Sequence, residues 1–348
     1  MTTVFPPPST PPLLITQGDP CGIGPEIIVK AFAAGELADA VVIGCPRVLG
    51  RAARACGLLL PLARLDSPLD RREVPPGALP VCVPADLPSG LDTLPWGQID
   101  AQAGAAAAAC IRSAVQWIQA GAASGMVTAP IHKEALHAAG VNYPGHTEML
   151  QALAAEPGQA PPPVRMMLAN PQLRVVLVTI HIALRRAIEA LDIAGIVETL
   201  RITHEAGRRF GLAAPRIAVA GLNPHAGEGG LFGDEELRII GPAVEQARAL
   251  GWDVRGPFAP DTVFMRARHA PPGHPGEFDF VVAMTHDHGL IPVKYLGVDE
   301  GVNVTLGLPW VRTSPDHGTA FDVAGTGQAD AGSLVAALRM ARQLVAGL

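Results

Sequence analysis

Residues 284–295, MTHDHGLIPVKY, set His286, Asp287, His288 and Lys294 directly behind the apolar run FDFVVA (278–283). Only 26 of the 348 residues are Lys or Arg, so such crowding of titratable groups at the end of a buried strand calls for a chemical explanation. Two more histidines hold comparable positions, His181 after LRVVLVTI (173–180) and His225 shortly after RIAVAGL (216–222). Three imidazoles from three strand ends can converge on one divalent ion and leave coordination positions open for a substrate. The sequence equally admits three unrelated polar residues in three loops, because separations of 44 and 61 residues match no local zinc motif. Zn²⁺ suits such a donor set, and Mg²⁺, Mn²⁺ and Co²⁺ are also compatible with it.

Other polar motifs carry paired readings. In NPHAGEGGLFGDEE (223–236) four glycines around His225 and Glu228 permit close backbone approach to a ligand, while Gly233 and Asp234 also suit a helix cap. QGDPCGIGPE (17–26) is neither G-x-G-x-x-G nor a Walker A motif. It reads as a tight turn that uses Asp19, Gly22 and Gly24 for backbone geometry, ahead of a helix whose N-terminus suits an anion. In YPGHTE (143–148), His146 and Thr147 offer donors to a phosphate or carboxylate, and Thr147 also suits a helix cap. Arg312, ending a short apolar strand, can grip an oxyanion through two nitrogens, and Asn303 and Lys294 add donors.

These residues need a frame. Apolar runs at 12–16, 40–44, 125–129, 164–169, 173–180, 216–222 and 278–284 are continuous rather than alternating, as strands covered on both faces should be. Helical patterns at 25–35, 100–120, 182–210, 234–250 and 330–347 fall between them. The rhythm predicts an α/β fold with a largely parallel sheet, whose ligands collect at the carboxyl ends of strands.

Composition narrows the function. A net charge of −6 and no basic, aromatic-laced cluster argue against nucleic-acid binding. The five cysteines, an odd count, form no C-x-x-C pair and all lie in the first third of the chain, which argues against a disulfide framework and a cysteine zinc site and suits a cytoplasmic protein. MTTVFPPPSTPP reads as a Pro-rich leader rather than a signal peptide. The Ala-rich stretch 101–126 reads as a helix packed on a sheet rather than a membrane span.

The element HGTAFDVAGTGQAD (317–330) resembles one that forms the adenine side of the NAD(P) site in isocitrate and isopropylmalate dehydrogenases. From about residue 13 to the C-terminus the chain resembles the PdxA family of 4-hydroxythreonine-4-phosphate dehydrogenases of pyridoxal 5′-phosphate biosynthesis. GDPCGIGPE, TAPIHK, YPGHTEML, VTIHIALR, GLNPHAGEGG, APDTVF, HDHGLIPVKY and GVNVTLGLPWVRTSPDHGTA carry that likeness in the family's order. It implies two α/β/α domains with a cleft between them, like those of isocitrate and isopropylmalate dehydrogenases, here 1–127 with 302–348 and 128–301. A homodimer is implied too, with a divalent metal held across its interface by His181, His225 and His286.

The same resemblance puts substrate contacts at His146, Thr147, Lys294, Asn303 and Arg312. NAD or NADP contacts fall at His317, Gly318 and Asp322 and at Asn223, Gly227 and Gly229 of the glycine-rich motif. Lys294, Asp261 in APDTVF and a hydroxide on the metal are candidate bases, and Asp261 also suits an N-cap for TVFMRAR. His288 stands where familiar members have glutamine and is not assigned to the metal. The implied reaction is oxidation of the C3 hydroxyl of 4-phosphooxy-L-threonine, followed by decarboxylation. Family relatives acting on threonate or erythronate phosphates, or on the cis-dihydrodiol of terephthalate, are the alternatives. A non-catalytic metal- and nucleotide-binding regulatory module would need damage to the ligand set or to HGTA, and none is seen. HGTAFDVAG, which suits a dinucleotide, argues against a plain metal-dependent hydrolase.

Overall fold

The computed structural model describes residues 10–297 and 300–347; most of the Pro-rich opening segment, residues 1–9, lies outside them. Its strands are β1 (Leu13–Thr16), β2 (Ala40–Ile43), β3 (Leu62–Leu65), β4 (Leu79–Cys82), β5 (Gly125–Thr128), β6 (Arg165–Ala169), β7 (Arg174–Leu177), β8 (Ile217–Ala220), β9 (Val254–Phe258), β10 (Phe280–Ala283), β11 (Val302–Leu306) and β12 (Val311–Pro315). The α-helices are α1 (Gly24–Ala33), α2 (Pro46–Ala55), α3 (Ala101–Gln119), α4 (Lys133–Ala138), α5 (His146–Leu153), α6 (Leu184–Glu189), α7 (Ile193–Arg209), α8 (Gly241–Ala249), α9 (Val263–Ala267), α10 (His286–Leu296) and α11 (Gly332–Ala346). Two compact units result, Met1–Ala155 with Trp310–Ala341 and Glu156–Pro309 with Arg342–Leu348.

In the first unit the strand order is β3-β4-β2-β1-β5-β12, all parallel. The central strands β1, β2 and β5 are fully buried, as their unbroken apolar runs require. This unit extends past Val127, where the sequence reading drew its boundary, because α4 joins α3 in it. At Gly104 of α3 an added Cβ would lie 2.0 Å from the Ala135 carbonyl oxygen on α4. Gly104→Ala should therefore destabilise the protein by about 1–3 kcal/mol through overpacking, despite the better helix propensity of alanine. A lowered urea midpoint checks this, and an unchanged or raised midpoint contradicts it.

The second unit is ordered β11-β6-β7-β10-β8-β9. Here β7, β10, β8 and β9 are parallel, but β6 runs antiparallel to both of its neighbours, so the parallel expectation holds only in part. Residues 170–173 are too few for a crossover and make a hairpin instead. Asn170 closes it, its Oδ1 accepting from the N–H groups of Gln172 and Leu173 at 2.9 Å each.

All seven anticipated strands are present. β3, β4, β9 and β11 were not anticipated, because LARL is half exposed, LPVC contains Pro80, VRGPF contains Gly256 and Pro257, and VNVTL breaks its apolar run with Asn303 and Thr305. Arg312, expected to end a short strand, is instead the second residue of β12. The helix expected over 182–210 is two helices. The first ends at Glu189, and Asp192 caps α7, its carboxylate accepting from Gly195 N at 2.6 Å. The helix expected over 234–250 opens as a π-helical turn, Glu236–Ile240, before α8 begins at Gly241 and Pro242, which has no N–H to continue the ladder. No described helix is long and apolar enough to cross a membrane.

Candidate active site

In the second unit the chain beyond β7 stays zipped to the chain beyond β10. Val178 N donates to Ala283 O at 2.9 Å, Thr179 N to Met284 O at 3.2 Å, and the Thr179 hydroxyl to the same Met284 oxygen at 2.8 Å. That pairing brings His181 and His286 together, ring centroids 5.5 Å apart. His286 opens α10, and its Nδ1 is bonded to Asp287 Oδ1 at 2.7 Å. With Nδ1 engaged by a carboxylate, Nε2 is the nitrogen left to bind a cation. The Asp287 side chain is 82% exposed, so it orients the ring more than it stabilises charge. A cavity of about 440 Å³ opens on this pair. Two imidazoles, one held by a carboxylate, fit a divalent ion that takes its remaining donors from elsewhere.

His225 does not join them. It lines a larger cavity of about 710 Å³ in the same unit, with Asp261, Arg268 and Tyr295; Asp287 and His288 border both cavities. Among the described residues no three His, Cys, Asp or Glu side chains gather into a metal cage.

His225 heads an unusual turn. Residues 225–229 are all left-handed, with φ of 54°, 53°, 80°, 44° and 67°. Three of the five are not glycine, and each such residue costs about 1–2 kcal/mol that the surroundings must offset. Glu236, 4% exposed, supplies much of that hold. Its Oε1 accepts from the N–H groups of Leu222 (2.7 Å) and Asn223 (2.8 Å), and its Oε2 from Asn223 Nδ2 (2.9 Å). Burial pushes its pKa up, but these bonds from Asn223 and Leu222 outweigh burial and hold the carboxyl below its usual range. Asn223, read from sequence as a nucleotide contact, commits its amide nitrogen to Glu236 and, at 2.7 Å, to Glu235. Asp234 pairs with Arg238 instead of capping a helix, and Gly233 packs on the Asn223 side chain, where a Cβ would sit 2.5 Å from Nδ2. Gly229 faces open space and Gly227 faces Glu236.

Lys294 lies on α10, half-buried, eight residues beyond His286. Asp261 is exposed on the wall of the larger cavity; it does not cap α9, whose N-cap is Thr262. Asn303 on β11 has a buried Oδ1 without a partner among the described residues.

The first unit holds an oxyanion-binding arrangement. Arg312, 3% exposed on β12, sits beside the end of β5 and donates to Thr128 Oγ1 through Nη2 (2.7 Å) and Nε (3.2 Å). Burial pulls its pKa down to about 10, against the attraction of Glu148, which leaves it cationic at neutral pH. His146, the first residue of α5, has a buried Nε2 with no partner among the described residues. Burial, then Arg312, hold its pKa well below 6.5, so the ring is neutral at pH 7. A neutral imidazole beside a buried guanidinium suits an oxyanion. Thr147 falls inside α5, whose N-cap is Gly145, so the capping reading fails.

The loop expected to hold a nucleotide is firmly anchored in this unit. Glu26 of α1 accepts from Gly325 N and, at 2.9 Å, from Gly327 N, while Lys30 Nζ donates to Gly327 O and Ala329 O at 2.6 Å each. His317 bonds the Gly318 carbonyl through Nδ1 at 3.0 Å and leaves Nε2 buried and without a partner among the described residues, while Asp322 is exposed. A fixed loop with a shielded imidazole nitrogen fits a polar ligand such as a dinucleotide.

The sequence did not reveal Thr128 as the support of Arg312, nor Glu236 as the hold on His225. TAPIHK at the end of β5 was the one hint for the former, and the latter had none.

QGDPCGIGPE behaves as the geometric reading anticipated. Asp19 Oδ1 accepts from Cys21 N at 2.8 Å, and a Cβ on Gly24 would lie 2.5 Å from Gln17 O. Asp19 is 1% exposed, and burial raises its pKa from 3.8 to about 6, against the Cys21 hydrogen bond and His132. Between about pH 4 and 6 the folded chain therefore keeps a proton that the unfolded chain has released, and stability falls as pH rises through that window. Asp19→Asn should flatten that slope and, at pH 7.5, unfold later by up to about 3 kcal/mol. Denaturant titrations at pH 4, 6 and 7.5 test this, and parallel curves for the two proteins contradict it.

The family described as pyridoxal phosphate biosynthetic protein PdxA matches residues 36–341. A 4-hydroxythreonine-4-phosphate dehydrogenase of Beijerinckia indica is 51% identical over 335 residues, covering 96% of this chain and 95% of that one. A D-threonate 4-phosphate dehydrogenase of Salmonella typhimurium is 45% identical over 339 residues, covering 96% and 99%. The crystal structure of 4-hydroxythreonine-4-phosphate dehydrogenase from Klebsiella pneumoniae superposes with a TM-score of 0.84 at 43% identity, covering 98% of this chain and 99% of that one. With its strand-end histidines, its buried arginine and this likeness along nearly its whole length, the chain belongs to the PdxA family.

Proposed function

We propose that this protein is a metal-dependent, NAD(P)-linked dehydrogenase that oxidises the C3 hydroxyl of 4-phosphooxy-L-threonine. The product, 2-amino-3-oxo-4-phosphooxybutanoate, is a β-keto acid and loses CO₂ to give 3-amino-2-oxopropyl phosphate. The observation that carries the reading is the His181–His286 pair, joined at the carboxyl ends of β7 and β10 with one ring oriented by Asp287. Two imidazoles leave a metal under-coordinated, and in our reading His225 of the partner subunit completes the site of a homodimer. A divalent ion held there by His181 and His286 would supply Lewis-acid polarisation of the substrate hydroxyl. A nicotinamide cofactor, when bound, would supply the acceptor for the hydride from C3.

The protein's own groups do the rest. In the first unit Arg312, neutral His146 and Thr147 are the groups we assign to the phosphate and carboxylate oxygens, and in the second unit we assign Lys294 and Asn303 as substrate donors. Asp261 and Lys294 are the groups we assign to take the hydroxyl proton. His317, Gly318 and Asp322 face the nucleotide, on a loop that Glu26 and Lys30 hold still. Asn223 and Gly227 serve the shape of the His225 loop, which leaves Gly229 as the open glycine there.

A second reading has its own support. The D-threonate 4-phosphate dehydrogenase that matches 96% of this chain acts, by its name, on a substrate with a hydroxyl in place of the amino group. Absorbance of reduced nicotinamide, followed with each substrate and with NAD⁺ or NADP⁺, separates the two. We expect turnover with 4-phosphooxy-L-threonine that vanishes on chelation and returns with metal. Turnover with D-threonate 4-phosphate alone would replace the substrate assignment, and turnover with neither would overturn the reading.

A further inference from the structure

We propose that Glu236 is the positioning residue for His225. The inference rests on the reading of His225 as a metal ligand and adds what aims it. His225 is exposed, and among the described residues the ring set beside it is Phe232, 6.2 Å away between centroids, so the backbone of its turn has a large share in setting its direction. One carboxylate touches that left-handed turn at both its entry and its middle. At the entry, Glu236 Oε1 accepts from the N–H groups of Leu222 and Asn223, and Oε2 accepts from the Asn223 side chain. In the middle, a Cβ on Gly227 would lie 2.8 Å from Oε2, and before the entry a Cβ on Gly221 would lie 3.0 Å from Oε1.

The carboxylate is itself held by an irregular helix start. Residues Glu236–Ile240 form a π-helical turn, and Gly241 approaches so closely that a Cβ there would lie 2.8 Å from the Glu236 carbonyl oxygen. Glu236 is buried and fully engaged, so its service to the site is through the loop, and it is not itself offered as a ligand. The carboxylate is one of the close neighbours that leave no room for a Cβ at 221 and 227, beside Ala226 and the Gly233 carbonyl oxygen respectively, while Gly229 has open space around it.

Full-length protein stripped of metal is titrated with Co²⁺, with the visible spectrum and competition against a chelator as readouts. Wild type is compared with His225→Ala, Glu236→Ala, Glu236→Gln and Gly227→Ala. We expect Glu236→Ala to weaken Co²⁺ binding about 10–100-fold. Glu236→Gln, which keeps a carbonyl for the Leu222 and Asn223 N–H groups, should lose less. Gly227→Ala, which drives a methyl group against both the intact carboxylate and the Gly233 carbonyl oxygen at a left-handed φ, should weaken binding as well. At saturating Co²⁺ the variants' absorption bands should shift, because a misaimed imidazole alters the ligand field, whereas a general loss of stability would leave them in place. If His225→Ala weakens binding but none of the loop variants does, Glu236 does not position the ligand. If His225→Ala binds Co²⁺ as wild type does, the metal reading fails and this inference with it. Should Glu236→Ala not fold, Glu236→Gln and Gly227→Ala decide.

Discussion

Subunits carrying His225→Ala and subunits carrying His286→Ala are each expected to lose turnover by on the order of 10³-fold or more, and a mixture of the two should regain it. The expectation follows from what one chain assembles: His181 and His286 meet, His225 lines another cavity, and no third donor joins the pair among the described residues. If the third ligand comes from a second copy, each variant homodimer lacks one ligand at both of its sites. A hybrid dimer concentrates both lesions in one site and leaves the other whole, as two-fold symmetry requires. Random reassortment then restores about a quarter of the wild-type sites. Unfolding and refolding the mixture, followed by an activity measurement against each variant treated alone, tests this. Activity no higher than that of the separate variants would remove the shared-site reading, and an active His286→Ala protein would remove His286 from the metal.

Arg312→Met is expected to lower kcat/KM by on the order of 10²–10³-fold, since truncating one partner of a buried, charged contact costs about 2–5 kcal/mol. The guanidinium is almost wholly buried, oriented by Thr128 and set near a histidine that its charge and burial keep neutral. Keeping a guanidinium charged at such depth is costly, and an oxyanion of the substrate offsets part of that cost when it binds. The unliganded variant should therefore stay folded, because replacing a buried ion with an apolar side chain of similar length is often neutral. Arg312→Lys keeps the charge but loses the two-pronged grip, and should recover only part of the loss. Steady-state kinetics with a fixed, saturating nicotinamide cofactor measure both, and a lysine variant equal to wild type would show that charge alone matters.

Why some of this could be read from residues and some could not is a matter of range. Continuous apolar runs such as LLIT and FVVA declare buried strands locally, because both of their faces are covered. The half-exposed edge strand LARL and the Pro-bearing LPVC declare nothing, since their pairing depends on neighbours distant in sequence. His181 and His286 were legible as strand-end residues; that the two meet was not, because it depends on the pairing of the segments beyond β7 and β10. The resemblance supplied Arg312 and His146 as substrate contacts, but the burial that sets their protonation is a tertiary property. Capping readings of Asp234, Asp261 and Thr147 failed for a common reason. Each was inferred from a polar residue near a helix start, and the structure puts the first helical residue one or more positions away, or gives the side chain another partner.

The most direct measurement of the central claim is stoichiometric. With metal-replete protein, NAD⁺ or NADP⁺ and a limiting amount of 4-phosphooxy-L-threonine, reduced nicotinamide and CO₂ should appear in equal amounts, one of each per substrate consumed, and neither should appear after chelation. Release of inorganic phosphate without nicotinamide reduction, or turnover indifferent to chelator, would contradict the account.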